Sequence, residues 1–164
     1  MIKEINNYAY IDGNNLYRGV NSLGWKIDYK RFRVWLKDKY SINKAYIFIG
    51  LVPKYKDLYT SLQEAGFTLI FKETVYDGNG KIKGNCDADL VLRSLVDFYE
   101  EKINSIIIVT SDGDYAGLIK FLKEKGKLRV VLSPSLEKKC SILIKRLNPA
   151  IVYLDNIKEK IRLK

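Results

Sequence analysis

Histidine is absent from this chain of 164 residues, which also holds only two cysteines, three prolines and one methionine. Without histidine there is no Ser-His-Asp or Cys-His catalysis, no HExxH zinc site and no acid–base work by a histidine pair. Cys86 and Cys140 have no CxxC partner, so neither a disulfide framework nor a zinc pattern is present. Both read as reduced thiols, and a cytoplasmic location is the natural expectation. No apolar run approaches the roughly 20 residues that span a bilayer, and the opening MIKEINNYAYID lacks the shape of a signal peptide. A P-loop is excluded by the missing GxxxxGK(S/T) motif. Any chemistry falls to carboxylates, lysines, tyrosines or a metal ion.

Acidic residues are scarce as well, 19 against 29 basic, for a formal charge of +10. A domain this basic favours a polyanionic partner, nucleic acid first, although charge also serves plain solubility. Against that background five aspartates are grouped where apolar runs begin or end: Asp12 in YIDGNN, Asp87 and Asp89 in GNCDADL, and Asp112 and Asp114 in TSDGDY. An acidic cluster in a basic protein calls for a cation.

The length fits one domain, residues 1–164, with a substantial core. Apolar runs rich in Ile and Val predict strands at Tyr8–Ile11, Ala45–Gly50, Phe67–Phe71, Ser105–Val109, Leu128–Leu132 and Ile151–Tyr153. Between them, helices are predicted at Tyr29–Lys39, Lys54–Ala65, Asp87–Lys102, Tyr115–Glu124 and Leu136–Leu147, with a short one near Asp155–Arg162. Gly66 and Gly126 stand where left-handed C-terminal caps are common. The alternation predicts an α/β fold with an open, mainly parallel sheet, flanked by helices on both faces. The segment Lys72–Cys86, with its Asp77-Gly78 and Asn79-Gly80 turns, reads as a small hairpin and a substrate-facing loop.

In such a sheet, ligands bind beyond the carboxyl ends of strands, where strand order reverses. The first and fourth predicted strands would meet there, bringing Asp12 to Asp112 and Asp114, with Asp87 reaching in from its helix. Each group also has an ordinary structural reading: an Asx-turn at Asp12, a capping box of Ser111 and Asp114, and favourable helix-dipole charge at Asp87 and Asp89. A cap does not require Asp112 as well, and two carboxylates one glycine apart repel each other unless something separates them. Asp87 and Asp89 diverge by roughly 200° around a helix. Asp87 lies at the edge of a predicted buried face formed by Ala88, Val91, Leu95, Phe98 and Tyr99, and Asp89 falls on the other side. Hard oxygen donors in this number suit Mg²⁺ or Mn²⁺.

The blocks IDGNNL, YIFIG, LYTSLQEAGFTLIFK, KGNCDADLVL and IIVTSDGDYAGLIKFL, in that order from Tyr8 to Leu154, resemble the NYN domain family of PIN-like nucleases, its bacterial LabA-like branch above all. The resemblance implies a Rossmann-like PIN-type fold and a metal-dependent ribonuclease that leaves a 5′-phosphate and a 3′-hydroxyl. It assigns Asp12, Asp87, Asp112 and Asp114 as catalytic and metal-binding acids, with Asn15 and Thr110 in support. Thr110 replaces a common serine, Ser111 a glycine and Tyr115 the usual phenylalanine. Asp89, second to Asp87 and a supporting member of the site, stands where relatives often carry another acid or a neutral residue, and Arg93 where some are polar or acidic. No core acid is lost.

RNA, most naturally single-stranded, is then the expected substrate, and a homodimer is compatible with these features without being required by them. Backbone affinity would come from Lys26, Lys30, Arg31 and Arg33, from Lys72, Lys81 and Lys83 beside the acidic helix, and from Lys138, Lys139, Lys145 and Arg146. Among twelve tyrosines, Tyr17, Tyr55 and Tyr76 fall in or near predicted loops where they could stack bases. Two other readings compete. An RNA-binding or regulatory module of the same fold would bind without cleaving. A haloacid-dehalogenase-type phosphatase would need a DxDx(T/V) motif, which Asp12-Gly13-Asn14 does not provide.

Overall fold

The computed structural model describes residues 4–83 and 85–164, with Ile82 and Lys83 as backbone only. In chain order it contains β1 (Asn7–Asp12), α1 (Gly13–Ser22), α2 (Tyr29–Tyr40), β2 (Ile42–Leu51), α3 (Lys56–Glu64), β3 (Thr68–Glu73), β4 (Val75–Tyr76), β5 (Ile82–Lys83) and α4 (Asp87–Tyr99). There follow β6 (Ser105–Val109), α5 (Ala116–Glu124), β7 (Leu128–Ser133), α6 (Ile142–Lys145), β8 (Ile151–Tyr153) and α7 (Lys158–Ile161). Six strands form one sheet in the order β3-β2-β1-β6-β7-β8, and every pairing within it is parallel. The fold is therefore α/β, as the alternation predicts.

Alternate residues of the central strands feed two separate cores. Ala9, Ile11, Ile47, Ile107, Val109 and Leu132 face α1, α2 and α7 through Leu16, Val20, Phe32, Leu36 and Ile161. Tyr10, Tyr46, Phe48, Ile106, Ile108 and Val131 face α4, α5 and α6 through Leu90, Ile119, Leu122 and Ile144. Burial on both faces explains the unbroken Ile-Ile-Ile-Val run of β6. Each buried Val, Leu, Ile or Phe side chain among them contributes about 1.5–3 kcal/mol of transfer free energy.

The predicted hairpin forms: Val75 pairs antiparallel with Lys83 and Tyr76 with Ile82. Asp77 Oδ1 closes its turn by accepting from the amides of Asn79 and Lys81. Gly66 and Gly126 adopt the left-handed conformation expected of them, at φ 100° and 68°.

Three features depart from the sequence reading. The helix predicted at Leu136–Leu147 is instead the single turn Glu137–Lys139 followed, after extended Cys140, by the four-residue α6. Helix α1 was not expected, since GNNLYRGVNS reads as turn chemistry; it forms because Asp12 caps it and Leu16 and Val20 are buried beneath it. Helix α4 is rotated from its predicted face: Leu90, Ser94 and Asp97 are buried, whereas Ala88 and Tyr99 are exposed. That rotation brings Asp87 onto the inward face. None of the described helices is long and apolar enough to cross a membrane.

Candidate metal centre

Strand order reverses between β1 and β6, and both strands deliver an aspartate-bearing loop to the resulting crevice. Asp12 ends β1, 7% exposed, and its Oδ1 accepts from the Asn15 amide at 3.2 Å as the N-cap of α1. The next residue must be small, because a Cβ on Gly13 would stand 2.9 Å from the Phe48 carbonyl oxygen. Beyond β6, buried Thr110 accepts at Oγ1 from the Asp112 amide at 3.1 Å, and Asp112 Oδ1 accepts from the Asp114 amide at 2.9 Å. Asp112, rather than Ser111, is thus the cap of the turn Gly113–Tyr115. Gly113 is held against the Ser141 and Leu143 side chains, where a Cβ has no room.

Asp87 opens α4 without capping it: the helix has no side-chain cap bond, and the Asp87 amide donates to Asn85 Oδ1 at 2.8 Å. Its carboxylate is free to face the crevice. One oxygen from each of Asp12, Asp87 and Asp112 lies within 4.8 Å of the others. Burial, followed by the charges of Asp87 and Asp112, raises the Asp12 carboxyl to about 6. Among the described residues, no basic side chain pairs with any of the three.

Two polar links hold this arrangement. The Tyr115 hydroxyl, buried and kept protonated by desolvation and by Asp87, donates to Asp87 Oδ1 at 2.6 Å. Asn15 Oδ1 accepts from the Ser111 amide at 2.9 Å and from Ser111 Oγ at 3.1 Å, tying the first turn of α1 to the loop after β6. Ser111 Oγ also meets Ser135 Oγ at 2.9 Å. Tyr115 and Ser135 were missed from the sequence. The signal for Tyr115 was present in its replacement of phenylalanine, which a hydrogen bond explains better than packing.

The remaining sequence-predicted residues are more dispersed. Asp114 is exposed and lines the same cleft, but stands outside the group of three. Asp89 pairs with Lys72 at 3.5 Å, and neither lines the cleft. Lys81 is exposed on the hairpin, away from the cleft lining, and the Lys83 side chain lies outside the described residues. Arg33 donates to the carbonyls of Gly66 and Ile42, binding α2 to neighbouring backbone.

The donor set is uniform in chemistry. Carboxylate oxygens are hard ligands, suited to Mg²⁺ or Mn²⁺. The nearby Cys86 thiol, pushed up to about 11 by burial and by Asp12, Asp89 and Asp87, lines the cleft but is not in the group of three. Three mutually repelling carboxylates, with no basic side chain paired to them among the described residues, are an arrangement that a divalent cation stabilises.

The carboxylates occupy one part of a cleft of about 900 Å³, which continues past Tyr17 and Arg18 of α1 to Val52, Tyr55 and Leu58 beyond β2.

Comparison with known proteins agrees with this architecture. The NYN domain family model matches residues 8–149. "Low amplitude and bright protein LabA" of Synechococcus elongatus is 27% identical over 136 residues, covering 76% of this chain and 71% of that protein. A crystal structure of a protein of unknown function from Vibrio parahaemolyticus superposes with a TM-score of 0.80 over 99% of both chains, at 18% identity. At that identity the likeness concerns the fold.

Proposed function

This chain belongs to the NYN domain family, and we propose that it is a metal-dependent ribonuclease, most simply an endonuclease. The observation that carries the reading is the convergence of Asp12, Asp87 and Asp112 within 4.8 Å in a chain of charge +10. These three carboxylates would hold Mg²⁺ or Mn²⁺. Such an ion supplies Lewis-acid polarisation of a phosphodiester and a more acidic water.

The protein's own contribution is position and charge. Tyr115 fixes the rotamer of Asp87 through its 2.6 Å hydrogen bond. Asn15 and Ser111 hold the two acid-bearing loops in register, and Thr110 shapes the backbone that presents Asp112. Asp114, on the cleft rim, is the group available to orient a water. The positive surface attracts the polyanion without reading its sequence.

The test is labelled single-stranded RNA incubated with Mn²⁺, Mg²⁺ or EDTA and with wild type or Asp112→Asn. Cleavage should require both the cation and Asp112. Cleavage that persists in the variant and in EDTA contradicts the reading; binding without cleavage under all conditions makes this an RNA-binding module instead.

A further inference from the structure

The cleft is longer than its acidic part, and the rest of its lining has a different chemistry. On one wall α1 presents Tyr17, 57% exposed, and exposed Arg18. On the other, the turn Pro53–Tyr55 and the start of α3 present Tyr55, 47% exposed, and Leu58, 38% exposed. Tyr59, in the same lining, has a structural duty: its hydroxyl accepts from the Val52 amide at 2.9 Å and donates to the Gly50 carbonyl at 3.0 Å. The hydroxyls of Tyr17 and Tyr55 make no such bond among the described residues, and their rings are not part of either core. Folding does not account for two open aromatic rings facing one cleft. Lys54 Nζ stands 5.0 Å from the Tyr55 ring centroid, so a cation accompanies one ring, and Arg18 follows Tyr17 beside the other.

We propose that this tyrosine-lined extension is a seat for the unpaired bases of an RNA strand, whose phosphates run past Arg18 and Lys54 toward the carboxylates. The proposal rests on the ribonuclease reading and deepens it. Aromatic rings interleaved with cations are the surface that holds single strands, because every base has a face to stack and every nucleotide a phosphate to neutralise. A duplex hides those faces and is excluded. The path also differs from the sequence expectation. It runs along α1 and the start of α3, not along Lys72 and Lys81, and it leaves out Tyr76 on the hairpin.

The test is fluorescence anisotropy of a labelled eight-nucleotide oligo(U) in EDTA, where cleavage is silent. Tyr17→Ala and Tyr55→Ala should each weaken binding roughly ten-fold, with unchanged melting temperatures, while Tyr17→Phe and Tyr55→Phe bind as wild type does. A fully paired duplex should compete poorly. Wild-type affinity in both alanine variants, equal competition by duplex, or failure of the wild type to bind oligo(U) overturns the proposal, the last pointing to a protein partner for this wall. Tyrosine-dependent binding without cleavage in Mn²⁺ overturns the nuclease reading alone. Manganese-dependent cleavage that both alanine variants keep, with wild-type binding, overturns the tyrosine seat alone.

Discussion

Helix α4 carries two inward-facing aspartates, and they occupy opposite circumstances. Asp97, 1% exposed, accepts from the Tyr10 hydroxyl at 2.7 Å and from Arg93 Nε at 3.3 Å. Asp87 accepts from the Tyr115 hydroxyl at 2.6 Å, but it stands within 4.8 Å of carboxylate oxygens of Asp12 and Asp112. Each has a buried tyrosine as hydrogen-bond donor, and in each case desolvation is the largest reason that the phenol stays protonated. The difference is the counter-ion. At Asp97 the protein provides its own, whereas at Asp87 it brings further negative charge and, among the described residues, no paired basic side chain. The first pattern is that of a structural ion pair; the second is the kind found at ligand sites, where local stability is given up for function, and it is the one the proposed cation site requires.

Substitutions at the two positions should therefore have opposite signs. Asp97→Ala strands Arg93 and the Tyr10 hydroxyl and should cost about 3 kcal/mol, the lower end for a broken buried pair, because Arg93 is 40% exposed. Denaturant unfolding measures it, and a loss below about 1 kcal/mol would mean that the pair is dispensable. Asp87→Asn relieves repulsion and should raise metal-free stability by about 1 kcal/mol while abolishing cation-dependent cleavage. A destabilised Asp87→Asn protein would erase the contrast.

Tyr115→Phe retains the ring and removes the bond to Asp87. Divalent-cation affinity should fall roughly ten-fold, with little change in stability, as read by titration calorimetry.

A further effect concerns pH. The Asp12 carboxyl is raised to about 6 in the fold, from 3.8. Between those values the unfolded chain has released a proton that the folded one retains, so this group's contribution to stability is present below about pH 4 and is lost as pH rises through 6. In EDTA, wild type should lose stability relative to Asp12→Asn across that window, the asparagine preserving the cap of α1. A difference that stays constant from pH 4 to pH 7 contradicts the shift. Smallest of all, Lys72→Ala removes a surface pair with Asp89 and should change stability by less than about 1 kcal/mol; a larger loss would make that pair part of the architecture.

Much of the fold was legible in the chain because the Ile- and Val-rich strands are buried on both faces, which leaves an unambiguous apolar run. The inward face of α4 was not. Leu90, Val91, Leu92, Leu95, Val96, Phe98 and Tyr99 surround the helix with apolar groups, so periodicity does not select one side, and the side that is buried includes Ser94 and Asp97. Helix α1 was hidden for the opposite reason: Asn14, Asn15 and Gly19 are turn residues, and only the Asp12 cap and two buried side chains make them helical. The meeting of Asp12 and Asp112 followed from strand order, and Asp87 joins them from the first turn of α4. The outlying position of Asp114 depends on one 3₁₀ turn, which no sequence spacing specifies.

The proposed ribonuclease activity requires that Asp12, Asp87 and Asp112 together hold a divalent cation. Thermal unfolding with and without Mn²⁺ tests it without reference to any substrate, since a ligand that binds only the folded state raises the melting temperature. Wild type should gain stability with Mn²⁺, increasing with its concentration, and Asp112→Asn should gain little. An equal gain in both, or none in the wild type, would contradict the account.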